Sequence, residues 1–203
     1  AELLTLLNAM DGPKRLMGAL QGYLLEEQMH GQLLSNEPKT FTVLELQARG
    51  PPKNSRSVQF PKLTERKFTR LDMSDIAERM EKRVYYRPTF PNFKSVESFV
   101  IVEKEILLEG KRGLCIIAFQ ATVAERHDLN LSGLQAIQEK VKMGFGEQLD
   151  LYVVFVTNAG KSISVRQKLG NGEQAPDETY LQFVLNGMEL DSVMLKISDS
   201  EVV

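Results

Sequence analysis

Residues 149–156, Leu-Asp-Leu-Tyr-Val-Val-Phe-Val, are apolar at every position but one and rich in β-branched and aromatic side chains. A strand of that composition cannot leave one face in water, so it demands cover on both sides. Two further runs, residues 99–102 and 114–119, flank the turn signal Glu109-Gly110-Lys111-Arg112-Gly113 and read as a hairpin. Helix-period segments lie before and after it. The order helix, strands, hairpin, helix, buried strand predicts an α/β chain, an α/β/α core around a mixed central sheet.

The first helix is expected over residues 12–34, with Pro13 at its first position and Asp11 or Gly12 as cap. Leu16, Leu20, Tyr23, Leu24 and Leu34 recur at helical spacing and define its expected buried stripe. Glu27 falls inside that stripe, while Ala19, Glu26 and His30 lie along its flank. Strands are expected at residues 41–46, 57–60, 67–71 and 84–87, with a short helix at 74–82. Ser132-Gly-Leu-Gln135 resembles a capping box that opens a helix running to about Gly144, with Leu134, Ile137, Val141 and Phe145 inward. The 203 residues suffice for a single domain. Its core is expected over residues 13–157, and 158–203 read as a peripheral extension of short strands and turns, such as 163–166 and 190–197.

A formal charge of −2 excludes a protein that coats nucleic acid by bulk electrostatics, so any phosphate-binding surface must be a local cluster of Lys and Arg. Cys115, the one cysteine, sits in an apolar run and reads as a buried strand residue. No run approaches the ~18 apolar residues that span a bilayer, and no membrane partner is expected. The chain opens Ala-Glu-Leu-Leu and reads as a module of a longer polypeptide.

The hairpin carries the chemistry. It sets Glu97, at the start of one strand, against Gln120-Ala121-Thr122, at the end of the next. Alternation sends Gln120 and Thr122 to one face and Ala121 to the other. Hard divalent cations take oxygen ligands, and three are on offer: the Glu97 carboxylate, the Gln120 side-chain oxygen and the Ala121 carbonyl. Such an ion neutralises charge on a phosphodiester and acidifies water. Glu26 and His30, four apart, meet on one helix face. Spacing alone leaves Glu26 open to being a solvated or capping carboxylate and His30 a half-buried helix residue.

The segments Gly22-Tyr-Leu-Leu-Glu26-Glu-Gln-Met-His30, Tyr86-Arg-Pro88, Asn92-Phe93-Lys-Ser-Val-Glu97-Ser-Phe99, Phe119-Gln120-Ala-Thr122 and His127-Asp-Leu-Asn-Leu-Ser-Gly133-Leu134 follow one another in order. Together they resemble the C-terminal domain of Crinkler-type effectors and of the related retrotransposon hot spot proteins. The resemblance implies a restriction-endonuclease-like fold of the PD-(D/E)xK superfamily. It also implies a magnesium (or manganese) cofactor and hydrolysis of DNA, with RNA or a host protein as the other candidate partners. It implies secretion by a pathogen into the host nucleus, often behind a P-loop ATPase domain, and so a role in virulence.

Carried over position by position, Glu26 is the helix acid, Glu97 the principal metal ligand and Gln120 the second strand position. Thr122 stands where related nucleases keep Lys, and His30 and His127 match recurrent histidines. Glu97 in place of Asp lengthens the ligand by one methylene, and Thr122 removes a cation. His127, Lys94, Lys104 or Lys140 are the candidates to replace that cation. Arg83, Arg87, Lys94, Arg126 and Lys140 are the expected nucleic-acid contacts, with Tyr85 or Tyr86 available to stack. The alternative implied by the departures is a nuclease fold without catalysis that binds nucleic acid or a host protein.

Overall fold

The computed structural model describes residues 13–37, 39–69, 79–89, 96–158, 163–168 and 180–188. Helix α1 (Pro13–Leu33) precedes β1 (Thr40–Glu45), β2 (Lys53–Gln59), β3 (Thr64–Phe68), β4 (Val84–Pro88), β5 (Ser98–Glu103) and β6 (Leu114–Thr122). Helix α2 (Leu131–Phe145), β7 (Asp150–Asn158) and β8 (Gln182–Met188) complete the order. Of the expected helix at 74–82, residues 74–78 lie outside the described residues and 79–82 are not helical; Lys94 and the segment 190–197 also lie outside. Among those described, no helix is long and apolar enough to cross a membrane.

Eight strands form one sheet in the order β2-β1-β8-β7-β6-β5-β4-β3. The meander β4-β5-β6 is antiparallel, β6-β7 and β7-β8 are parallel, and β1 runs antiparallel to both β8 and β2. The sheet is therefore mixed, as expected. Alternation along its central strands divides the core into two layers. Phe99, Ile101, Ile116, Ala118, Leu151, Val153 and Phe155 join Leu134, Ile137 and Val141 of α2. Val100, Val102, Ile117, Phe119, Val154 and Val156 join Leu25, Met29 and Leu33 of α1. Cys115 lies in the α1 layer, where burial pushes its thiol up to about 12.

Three expectations need correction. The stripe of α1 is turned around the helix: Leu25, Met29 and Leu33 are buried, whereas Leu20 is 45% and Tyr23 60% exposed. This helix is apolar on two sides, and its period alone could not say which one meets the sheet. Helix α2 starts earlier than its capping-box reading: Asn130 is the cap, its side chain accepts the Gly133 N–H at 3.1 Å, and Ser132 donates to it at 2.7 Å. Its other end is closed by Gly146 at φ 74°, a left-handed turn that favours glycine.

The third correction concerns the tail. β8 is not peripheral; it lies between β7 and β1 in the interior of the sheet. Residues 163–168 form no strand and instead bond Leu129 N–H through the Lys168 carbonyl at 2.8 Å. At the start of β8 the fully buried Gln182 side chain accepts the Gln167 N–H at 2.7 Å and donates to the Gln167 carbonyl at 3.0 Å. It thus satisfies main chain that has no strand neighbour. Gln182→Leu should lower stability by about 1–2 kcal/mol, since both Gln167 groups lose their partner at the edge of a solvent-open cavity. Chemical denaturation measures this loss.

Candidate metal site

β5 and β6 part company at one point. Ser98 pairs with Phe119, so Gln120, Ala121 and Thr122 run on past the end of β5. Glu97 fills the gap. Its N–H donates to the Phe119 carbonyl at 3.0 Å, and its carboxylate takes the place of the missing strand partner. Oε2 accepts the Ala121 N–H at 2.9 Å and Oε1 accepts Gln120 Nε2 at 2.7 Å. Ala121 therefore meets Glu97 through its N–H. The Gln120 side chain, 5% exposed, turns nitrogen to Glu97, and its Oε1 is buried without a hydrogen bond. A lone acceptor beside a carboxylate suits a cation between them.

Burial above all, with a smaller push from the negative charge of Glu26, holds the Glu97 carboxyl up at about 8 against the Ala121 N–H that pulls it down. Glu26, on α1, thus acts on Glu97, at the foot of β5, through charge. An acid with a raised folded pKa is protonated in the fold and ionised in the unfolded chain between the two values. Stability then falls as pH rises from about 4.5 to about 8. The metal-free protein should melt lower at pH 8 than at pH 5.5, and saturating manganese should remove the difference. Calorimetry at the two pH values checks both statements.

On α1, half-exposed Glu26 ends a relay whose other members, Ser98, Tyr85 and His30, are buried. Ser98 Oγ donates to the Tyr85 hydroxyl at 2.6 Å, and that hydroxyl lies 2.7 Å from His30 Nδ1. With Ser98 as donor, the Tyr85 proton is left for Nδ1, so the proton of neutral His30 sits on Nε2, 3.4 Å from Glu26 Oε1. Burial holds the Tyr85 hydroxyl protonated far above its ordinary range. Next to it Glu27 pairs with Arg87, which also approaches Glu65 at 3.8 Å. Ligand atoms of Glu26, Glu27 and His30 lie within 4.8 Å of one another, a group that could hold a metal ion. The corner is acidic: four glutamates face Arg87 and His30.

The sequence signals thus converge only in part. Hydrogen bonds bring Glu97, Gln120 and Ala121 together, whereas Glu26 is linked to Glu97 through charge and groups instead with Glu27 and His30. By alternation Gln120 and Thr122 start from the α2 side of the sheet, whereas Glu26 belongs to α1 on the other side. The Thr122 hydroxyl accepts the Ala124 N–H at 3.1 Å and serves the turn that ends β6. The His127 N–H is held by Gln167 Oε1 at 2.7 Å, and burial pulls the imidazole pKa down while Asp128 raises it. Neither partner is one of the residues bonded to Glu97.

Arg87 reaches the corner. Arg83 does not: it sits at the other end of β4, paired with Glu103 at 2.9 Å. Arg126 lines a cavity with Asp128 and Lys168, and Lys140 stands on α2, the helix opposite α1. Lys94 is outside the described residues. Glu27, Glu65, Tyr85 and Ser98 are the participants that spacing missed. Glu27 alone left a signal, as a carboxylate inside an apolar stripe.

Compared with known proteins, the chain matches no family model, no curated protein and no solved structure.

Proposed function

We propose that the chain is a magnesium-dependent nuclease-like domain that hydrolyses DNA phosphodiester bonds, built on a restriction-endonuclease-like core. The observation that carries this reading is Glu97 at the opening between β5 and β6, bonded to Gln120 and coupled in charge to Glu26. The connectivity α1, antiparallel β4-β5-β6, α2 and parallel β7 supports it, with β1–β3 and β8 as additions. So does the resemblance to Crinkler-type effectors, which also makes the host nucleus the proposed place of action.

Glu97 and Glu26, with Gln120 Oε1, would hold the cation. When bound, it neutralises phosphate charge and acidifies water. The chain's own residues position the ligands. Ala121 N–H fixes one Glu97 oxygen, and the Ser98–Tyr85–His30 relay fixes Glu26. Arg87 balances the acids through Glu27 and Glu65. Supercoiled plasmid nicked in magnesium or manganese, and spared when chelator is added, tests the reading. Equal nicking by Glu26→Ala would mark a contaminant and end it.

One observation favours a second reading, in which the same fold binds nucleic acid or a host protein without cutting. Thr122 carries no charge and Arg87 is tied to two carboxylates, so among the described residues this corner has no cation ready to meet a phosphate. Duplex binding without nicking in any divalent metal would select it.

A further inference from the structure

Three stretches far apart in the chain are cross-linked beside the start of β8. Gln182 clamps the main chain of Gln167, whose own side chain accepts the His127 N–H and donates to the Val165 carbonyl at 2.6 Å. Leu129 N–H bonds to Lys168, and Arg166 N–H bonds to the Gln47 carbonyl at 2.9 Å. These bonds fix the backbone under Arg126, Arg166 and Lys168, which line one open cavity of about 480 Å³. Among the described residues, Asp128 is the one acid in that lining.

Arg126 and Lys168, two cations beside one carboxylate on a rigid support, repel one another unless an anion joins them. By contrast Arg66 is neutralised by Glu81, Arg83 by Glu103, Arg87 by Glu27 and Lys104 by Asp150. Among the described residues, neither Arg126 nor Lys168 has a carboxylate at ion-pair distance, although the chain as a whole is acidic. Both are exposed at the rim, where side chains can close on a ligand.

We infer that this cavity binds a phosphate group, with Arg126 and Lys168 as its charged donors. It is separate from the metal corner and stands whether or not the chain cuts DNA. Phosphate reaches it either as a free anion or as part of a nucleic-acid backbone, and the fork of Arg126 suits either.

The test titrates the full chain with inorganic phosphate and, separately, with a short fluorescein-labelled DNA duplex. Amide resonances of residues 126–128 and 165–168 are followed by NMR. Phosphate should move those resonances, and R126A/K168A should weaken binding by about tenfold or more. R126K/K168R, which keeps the charges, should restore most of it. If the duplex is the ligand, the double alanine variant should also reduce the slope of log affinity against log salt by about 2. Binding of either probe, lost in the alanine variant, supports the site and identifies its source. If neither probe moves these resonances, or the alanine variant binds both as tightly as the original, the inference is overturned. Exposed side chains make both variants safe for folding, and unchanged melting confirms it.

Discussion

Glu97→Gln should reduce manganese affinity by at least about a hundredfold and abolish metal-dependent nicking, while leaving the fold intact. The amide keeps an oxygen for the Ala121 N–H and loses only the charge. Gln120 Nε2 remains next to that side chain and can rotate to meet it. Loss of activity therefore reports the charge of Glu97 and not collapse of the gap between β5 and β6. The same variant should flatten the pH dependence of metal-free stability, because the group that titrates between about 4.5 and 8 is gone. A variant that still binds manganese as tightly as the original would remove Glu97 from the ligand set. Titration calorimetry with manganese and melting at two pH values give both readouts on one sample.

The second large effect is expected at Tyr85. Its side chain is fully buried, and one hydroxyl serves both Ser98 and His30. Tyr85→Phe leaves Ser98 Oγ without its acceptor and His30 Nδ1 without its donor in a dry layer. Two orphaned groups cost about 3 kcal/mol together. For a chain of this size that lowers the melting temperature by roughly 6–12 °C. His30 should then lose its fixed tautomer, and Glu26 the N–H that orients it. Metal affinity should fall by about ten- to a hundredfold, as for other outer-shell partners. A Tyr85→Phe, Ser98→Ala double variant should lose less than the sum of its parts, because the two share one bond. Full additivity would show that the relay is not a unit.

Much of the fold could be read from the residues because the signals were strong and local. Residues 149–156 could only be a strand covered on both sides, and β7 is such a strand. The hairpin was legible from two apolar runs around Gly110 and Gly113, both of which adopt positive φ. β8 was not legible: Gln182-Phe-Val-Leu-Asn-Gly-Met reads like an edge segment, since its strand neighbours are 29 to 144 residues away. The orientation of α1 failed for a related reason. Leu20 and Tyr23 are as apolar as Leu25 and Met29, and only the sheet chooses between them.

The site followed the same pattern. Glu97 and Gln120 were found because a hairpin fixes register, and register fixes contact. Glu26 and His30 were found as a helical pair. Tyr85 was invisible as a hub, because a tyrosine in a strand usually serves packing alone, and its two partners come from α1 and β5. Arg83 and Arg87 stand at opposite ends of β4, and of the two it is Arg87 that pairs with a glutamate of the corner. Four residues of extended strand span more than a site does.

Diffraction from crystals soaked in manganese chloride tests the central claim most directly. An anomalous peak with carboxylate oxygens of both Glu26 and Glu97 at about 2.1 Å is the expected result. A fully ordered corner with no peak, or a peak bound to neither of these two carboxylates, would contradict the account.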